Sequence, residues 1–271
     1  MATPRLACVG DNCIDRYLAP LNYALVGGNA VNVAVQAARL GCTVAYFGAV
    51  GADAEGQRLR ATLRSARVAL KGLRIVAGQS TATTDIATSP DGERHFQRED
   101  FGACAAYQPD DAAYERLTGF DHVHIGWLND GGVLKRRLAR AGLSVSQDLS
   151  VNNQPENLTA DSLTIAFASA IPAAAEHLAA SLQRDGAALA VVTMGAAGSL
   201  AFDGHQWVRA AALAVDAIDT TGAGDSFIAG FLSSRLRGGD LPAALAAGAE
   251  QASTTCLHIG GFPQTLQALD A

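Results

Sequence analysis

Apolar and polar positions follow two rhythms along this chain. Compact apolar runs at 6–10, 44–50, 122–125, 143–148, 163–168 and 189–193 predict strands. Between them, apolar residues recur at helical spacing over 29–40, 55–66, 133–141 and 173–184. A hairpin pattern at 199–208 follows, then helical patterns near 223–236 and 242–258. This alternation implies an α/β fold, a mainly parallel sheet with helices on both faces. Functional groups in such sheets collect at the carboxyl ends of the strands. One stretch breaks the rhythm. TTDIATSPDGERHFQRE, 83–99, has period two around Ser89-Pro90-Asp91-Gly92, where proline second and glycine fourth suit a type I turn. It reads as an antiparallel hairpin, either a flap beside the main sheet or an extension of its edge. No repeat or long linker divides residues 1–271, so a single domain is expected.

The strongest chemical signal is AIDTTGAGDSFIAGFLSSRL, 217–236. A short apolar segment ends at Asp219, and Thr220-Thr221-Gly222-Ala223-Gly224 opens a helix. A helix start carries unpaired N–H groups and the positive end of the dipole, and glycines let a ligand come close. Such a turn suits phosphate. Asp225 would repel a resting phosphate there, but it could take the proton of an attacking hydroxyl. The plainer reading is a capping aspartate in a tight strand–helix turn. The chain has no G-x-x-x-x-G-K-[ST] loop, and Phe227 stands where a G-x-G-x-x-G motif would need its third glycine.

Two weaker signals lie nearer the amino terminus. VGGNAVNVAVQAARLG, 26–41, leads from Gly27-Gly28 into a helix that Asn29 could cap and Gly41 could end. Asn32, one turn in, is a poor helix former; its amide suits hydroxyls, and a solvated surface position explains it as well or better locally. VGDNCID, 9–15, places Asp11 and Asp15 near the end of the first strand, where they could grip a polyol or simply hold turns.

Composition narrows the classes. A chain 49% apolar and 17% charged is not disordered. With 20 basic and 26 acidic residues, net −6, it is a poor general binder of nucleic acid. The uncharged stretch 17–38 is too polar to enter a membrane, with Pro20, Asn22, Asn29, Asn32 and Gln36 inside it. The opening MATPRLACVGDN has no basic stretch followed by an apolar core and a small-residue cleavage site, so secretion is not expected. Five cysteines without a Cys-x-x-Cys pair fit reduced thiols and a cytoplasmic location. No helix bears a metal-binding histidine pair, and Cys13 reads as a small packed residue.

Taken in order, GDNCID (10–15), GGNAVNVAV (27–35), VVTMGAAGSL (191–200) and DTTGAGDSFIAGF (219–231) resemble the PfkB, or ribokinase-like, family of carbohydrate kinases over essentially the whole chain. With IAFASA (165–170), the nearest likeness within the family is to the fructoselysine 6-kinases. The resemblance implies a ribokinase-like fold with a small β-sheet lid in segments near 12–26 and 80–102, which favours the flap. It implies Asp225 as catalytic base and the backbone of Gly222, Ala223 and Gly224 as the anion hole. Asp15, Asn32, Gly27 and Gly28 match sugar-contacting positions, and Asp11 is a candidate partner for a cationic amine on the sugar. Thr193, Gly195 and Gly198 match the nucleotide side. ATP with Mg²⁺ is the implied cofactor pair. Asp219 is a candidate ligand for a monovalent cation such as K⁺, or else a carboxylate supporting the loop. The implied partners are a small sugar and ATP, with a homodimer through the lid as an option.

The chain departs from the family pattern once. Many relatives carry an N-x-x-E motif that organises the magnesium–phosphate water network, whereas FASAIPAAAE (167–176) has Ser169 and Pro172 at about those places and Glu176 out of register. Mg²⁺ keeps many waters and can lean on ATP oxygens, so activity need not be lost. The expected activity is ATP-dependent phosphorylation of an alcohol group, on a fructosamine such as fructoselysine at its 6-position. Ribose, a nucleoside or a ketohexose are the alternative acceptors. A catalytically weak sugar- or nucleoside-binding regulator is the alternative of another class.

Overall fold

A computed structural model of the chain describes residues 3–88 and 94–269. Its larger sheet contains β1 (Arg5–Val9), β4 (Thr43–Gly51), β5 (Ala69–Val76), β8 (His122–Ile125), β9 (Val145–Asp148), β10 (Ile165–Ser169), β11 (Leu189–Thr193), β12 (Ser199–Phe202) and β13 (Trp207–Ala210). The smaller sheet contains β2 (Cys13–Tyr17), β3 (Tyr23–Gly27), β6 (Thr83–Thr88), β7 (Arg94–Asp100) and β14 (Gln267–Ala268). The larger sheet runs β13–β12–β11–β10–β9–β8–β1–β4–β5. Its neighbours are parallel except β12, which is antiparallel to both β11 and β13.

Successive side chains of these strands point to opposite faces, and both faces are covered. Leu6, Cys8, Val44, Tyr46, Ile165 and Phe167 pack on one side under α1 (Asn29–Arg39), α2 (Ala54–Ser65), α7 (Ala223–Leu236) and α8 (Leu241–Thr255). Ala7, Val9, Phe47, Val123, Ile125 and Ala190 pack on the other under α4 (Asp111–Leu117), α5 (Val133–Arg140) and α6 (Pro172–Arg184), with the short α3 (Gly102–Ala105) beside them. A parallel strand buried on both faces must be apolar nearly throughout, which is why these runs were legible. β5 is the parallel strand that the pattern did not reveal. It lies at the sheet edge, half exposed, and carries Lys71 and Arg74. α7 is buried on most sides, with Phe231 edge-on to Phe167 at 5.4 Å between ring centroids.

Polar residues do enter the sheet at β8 and β9. His122 bonds Ser144 and Ser146 at 2.8 and 2.7 Å, and His124 bonds Ser146 at 2.9 Å. Burial lowers these imidazoles to about 4 and about 3, so both are neutral near pH 7.

The hairpin at 83–99 does not extend the main sheet. β6 and β7 are antiparallel to each other, and β6 runs parallel to β2 in the separate small sheet, ordered β14–β3–β2–β6–β7. The turn at 89–92 lies outside the described residues. This sheet has its own small cluster of Tyr17, Leu25 and Ile86. β2 follows directly from β1, and β3 leads directly into α1, so the small sheet is rooted where the main strands end.

Candidate active site

The starts of α1 and α7 meet at the carboxyl ends of β1 and β9. α7 opens at Gly222, in the left-handed region at φ 73. A Cβ there would lie 2.5 Å from Gly261 Cα, so only glycine lets the loop sit against that turn. Ala223 N–H turns back to Thr220 O at 3.2 Å, and Ser226 N–H bonds Gly222 O at 2.9 Å. Gly224 is exposed, and the direction of its missing Cβ is open. The helix start therefore presents the positive end of its dipole on an open side. Asp219, buried beneath, accepts from Thr221 N–H at 2.6 Å and from Gly260 N–H at 2.9 Å. Both bonds tie the α7 loop to that carboxylate.

Asp225 stands in the first turn of α7 with both oxygens held. Asn29 Nδ2 donates to Oδ1 at 2.6 Å, and Asn32 Nδ2 donates to Oδ2 at 2.7 Å. Asn32 is not a solvated surface residue; it is 4% exposed. The same Asn29 nitrogen donates to Asp148 Oδ2 at 2.8 Å, at the end of β9. Burial raises the Asp225 carboxyl to about 7, and the negative charges of Asp148 and Asp11 act in the same direction. The two asparagine bonds oppose that rise. A carboxyl poised near 7 suits a general base at neutral pH. Asn29 Oδ1 and Asn32 Oδ1 are buried without a donor, a cost of about 1–3 kcal/mol each unless a hydroxyl reaches them.

Asp11 holds backbone at the start of α1. Its Oδ2 accepts from Asn29 N–H at 2.7 Å, and its Oδ1 from Ala30 N–H at 3.2 Å and Trp127 N–H at 3.1 Å. It satisfies donors at the start of α1 and joins them to the segment after β8. These are the contacts of a carboxylate that braces backbone, since a carboxylate beside a helix start finds N–H groups first.

Asp15 lies on β2, close enough to the site for Asp11 and Asp219 to act on it. Burial raises it to about 6; the bond from Cys13 lowers it, and the charges of Asp11, Asp219 and Glu99 raise it. Cys13 is more than a packed residue. Its thiol donates to Asp15 Oδ1 at 3.2 Å and lies 2.9 Å from Thr84 Oγ1. Burial holds that thiol well above its ordinary value, which leaves it no nucleophile. Asp15 Oδ2 lies over Gly27, where a Cβ would collide with it. Gly28 follows as the residue preceding α1. Across the small sheet, Asp15 pairs with Thr84, and Thr84 with Glu99, in one row. Tyr17 Oη lies 3.4 Å from Thr221 Oγ1 and so joins this sheet to the α7 loop.

Thr193 ends β11, its hydroxyl 2.8 Å from Ser169 Oγ. Gly195 and Gly198, at φ 56 and 94, shape the turn into β12. Pro172 opens α6, and Glu176 pairs with Arg209 at the surface, so neither brings a carboxylate to the site. Sequence reasoning missed Asp148, whose one signal is an acid ending an apolar run at a strand's carboxyl end. It also gave no role to the exposed apolar side chains Leu213, Val215, Ile218 and Leu257. Ile218 N–H bonds Cys256 O at 2.8 Å, bringing Ile218 and Leu257 into one neighbourhood. Among the described residues, no group of three His, Cys, Asp or Glu could hold a metal ion, and no helix is long and apolar enough to cross a membrane.

The model of the pfkB family carbohydrate kinases matches residues 22–132 and 158–265. The chain belongs to the PfkB family. It is an ATP-dependent sugar kinase. It is 37% identical over 262 residues to the fructoselysine 6-kinase of Escherichia coli (strain K12), covering 95% of this chain and 99% of that one. The fructosamine kinase of Bacillus subtilis (strain 168) is 32% identical over 270 residues, covering 95% and 93%. Arabidopsis thaliana ribokinase, solved with ribose and ATP, shares the fold with a TM-score of 0.87 at 23% identity, over 96% of this chain and 94% of that one. An E. coli protein described as a ribokinase II, solved with ATP and Mg²⁺, superposes with a TM-score of 0.79 at 18% identity, over 96% and 94%. The ribokinase-like fold and its separate small sheet are thus shared with solved kinases.

Proposed function

We propose that this PfkB kinase transfers the γ-phosphoryl group of ATP to the 6-hydroxyl of a fructosamine such as fructoselysine, with Asp225 as base. The observation that carries the reading is Asp225 itself: a carboxylate held by two amides, poised near neutrality, at a glycine-bounded helix start suited to phosphate. The acceptor hydroxyl gives its proton to Asp225, and its oxygen attacks phosphorus as the ADP oxygen leaves. The backbone of Gly222, Ala223 and Gly224, with the helix dipole, stabilises charge on the phosphoryl group in transit. Asp15, Asn32 and the Gly27-Gly28 backbone take the sugar hydroxyls. The small sheet acts as a lid that keeps water, a competing acceptor, away from the phosphoryl group. We assign Thr193, Gly195 and Gly198 to the nucleotide, with the exposed, neighbouring Ile218 and Leu257 offering apolar surface to its base. The helix start fits the phosphates of ATP. With no three-carboxylate cluster among the described residues, Mg²⁺ would ride on phosphate oxygens and water and supply charge neutralisation there.

The fructosamine assignment rests on the names of the relatives and on the lid. With Asp11 engaged by backbone, the acid placed to meet an amine arm is Glu99, exposed and in the row of Asp15 and Thr84. Strands about 4.8 Å apart put it about 10 Å from Asp15, within reach of a substituent extending from the sugar. A coupled ADP-release assay over fructoselysine, fructose, ribose and adenosine tests the reading. The expected order has fructoselysine highest in kcat/KM. Glu99→Gln should narrow its lead over fructose by up to about fivefold, the value of a solvent-accessible ion pair. Equal or better turnover of ribose or fructose overturns the acceptor. ADP release that no sugar stimulates would favour the binding-regulator reading.

A further inference from the structure

Asp148 is 6% exposed at the end of β9 and reaches Asp225 through one amide. The Asn29 side-chain nitrogen donates to Asp148 Oδ2 at 2.8 Å and to Asp225 Oδ1 at 2.6 Å, so both of its N–H groups are committed to carboxylates. Turned over, the amide would set its oxygen against two carboxylates at once. Held as it is, it leaves Oδ1 buried without a donor beside Gly126. Two charge-assisted bonds outweigh that one unmet acceptor. Asp148 itself is fixed by Ser150 N–H, which donates to its Oδ1 at 2.9 Å.

We propose that Asp148 is a positioning residue for phosphoryl transfer: through the shared Asn29 amide it fixes the orientation of the Asp225 carboxylate, and its charge acts on the base across that bridge. The inference rests on the kinase reading. The charges acting on Asp225 are Asp148 from β9 and Asp11 from the end of β1, both negative, while α1 contributes the neutral donors Asn29 and Asn32. Asp15 of the small sheet lies close enough to Asp219 of the α7 loop for the charge of Asp219 to act on it.

Asp148→Asn and Asn29→Ala separate charge from bridging. A general base works when ionised, so kcat/KM rises with pH through an acid limb. Asp148→Asn removes a repelling charge and should move that limb toward acid by about half to one pH unit, with kcat at pH 8 down about 3–30-fold as the amide is freed to turn. Asn29→Ala removes a bond to the ionised base and should move the limb the other way. Asp148→Glu should recover part of kcat. A rise in sugar KM with an unmoved limb would make Asp148 a sugar contact and overturn the proposal. An unmoved limb and unchanged kcat would make it merely structural and would likewise overturn the proposal.

Thermal unfolding supplies a readout independent of turnover. Burial raises both carboxyls in the folded state, so their contribution to stability is complete below the unfolded carboxylate range, near pH 4, and is lost as pH rises through their raised values, about 7 for Asp225. The wild type should lose Tm from pH 5 to 8, and Asp148→Asn should lose less. An identical slope in the two proteins overturns the charge coupling. If the wild type released no ADP in response to sugar, the kinase reading would fail, while an identical slope would still overturn the coupling by itself.

Discussion

Replacing Asn32 by alanine separates two roles that one amide could play. Its Nδ2 donates to Asp225 Oδ2 at 2.7 Å, in a site 4% exposed at Asn32. A hydrogen bond to a charged group contributes about 1.5–3 kcal/mol, and about 1.36 kcal/mol corresponds to one pH unit. Removing it destabilises the ionised base and moves the acid limb of kcat/KM about one to two pH units toward alkali. The base starts near 7, where about half of it is ionised. At pH 7 the variant would hold only about 1–10% of Asp225 ionised, so kcat/KM would fall about 5–50-fold from this cause. The deficit should shrink steadily toward pH 9. Coupled ADP release at subsaturating sugar, measured from pH 5.5 to 9.5, reads the limb directly. A loss constant across that range would show that Asn32 serves only as a sugar contact, and the reasoning about the base would fall.

Two further outcomes follow from the same geometry. Asp225→Asn should leave nucleotide binding by calorimetry nearly unchanged while lowering kcat by roughly 10²–10⁴-fold, the contribution of a positioned base; near-normal turnover would remove Asp225 from that role. Gly27→Ala should push the Asp15 carboxylate off its seat and, by weakening charged hydrogen bonds worth about 1.5–3 kcal/mol, raise sugar KM about 10–100-fold. Nucleotide KM should stay within about twofold, since Asp15 lies on the small sheet and not on the α7 loop. Equal rises in both constants would place the damage in the fold rather than in sugar binding.

Much of this protein was legible in one dimension. The parallel core strands must be apolar on both faces, so β1, β4, β8, β9, β10 and β11 stood out as runs. α1 and α7 announced themselves by glycine-bounded starts, and the α7 start carried its chemistry in consecutive residues because a helix N-terminus is a local structure. Edge elements were less visible: β5 buries only part of its surface, and β14 is two residues long. What folding alone decided is which polar groups meet. Asn29 and Asp225 are 196 residues apart, and Asn29 and Asp148 are 119 apart. No local pattern encodes such a bridge, because it depends on the order in which parallel strands assemble. Asp11 and Asp15, four residues apart, part company for a similar reason. The chain turns from the main sheet into the small one between them, so Asp11 meets the N–H groups of α1 while Asp15 is carried onto the small sheet. Residue type and spacing specified a phosphate-ready helix start; the tertiary structure chose the acids and amides around it, by burying them within hydrogen-bond reach of one another.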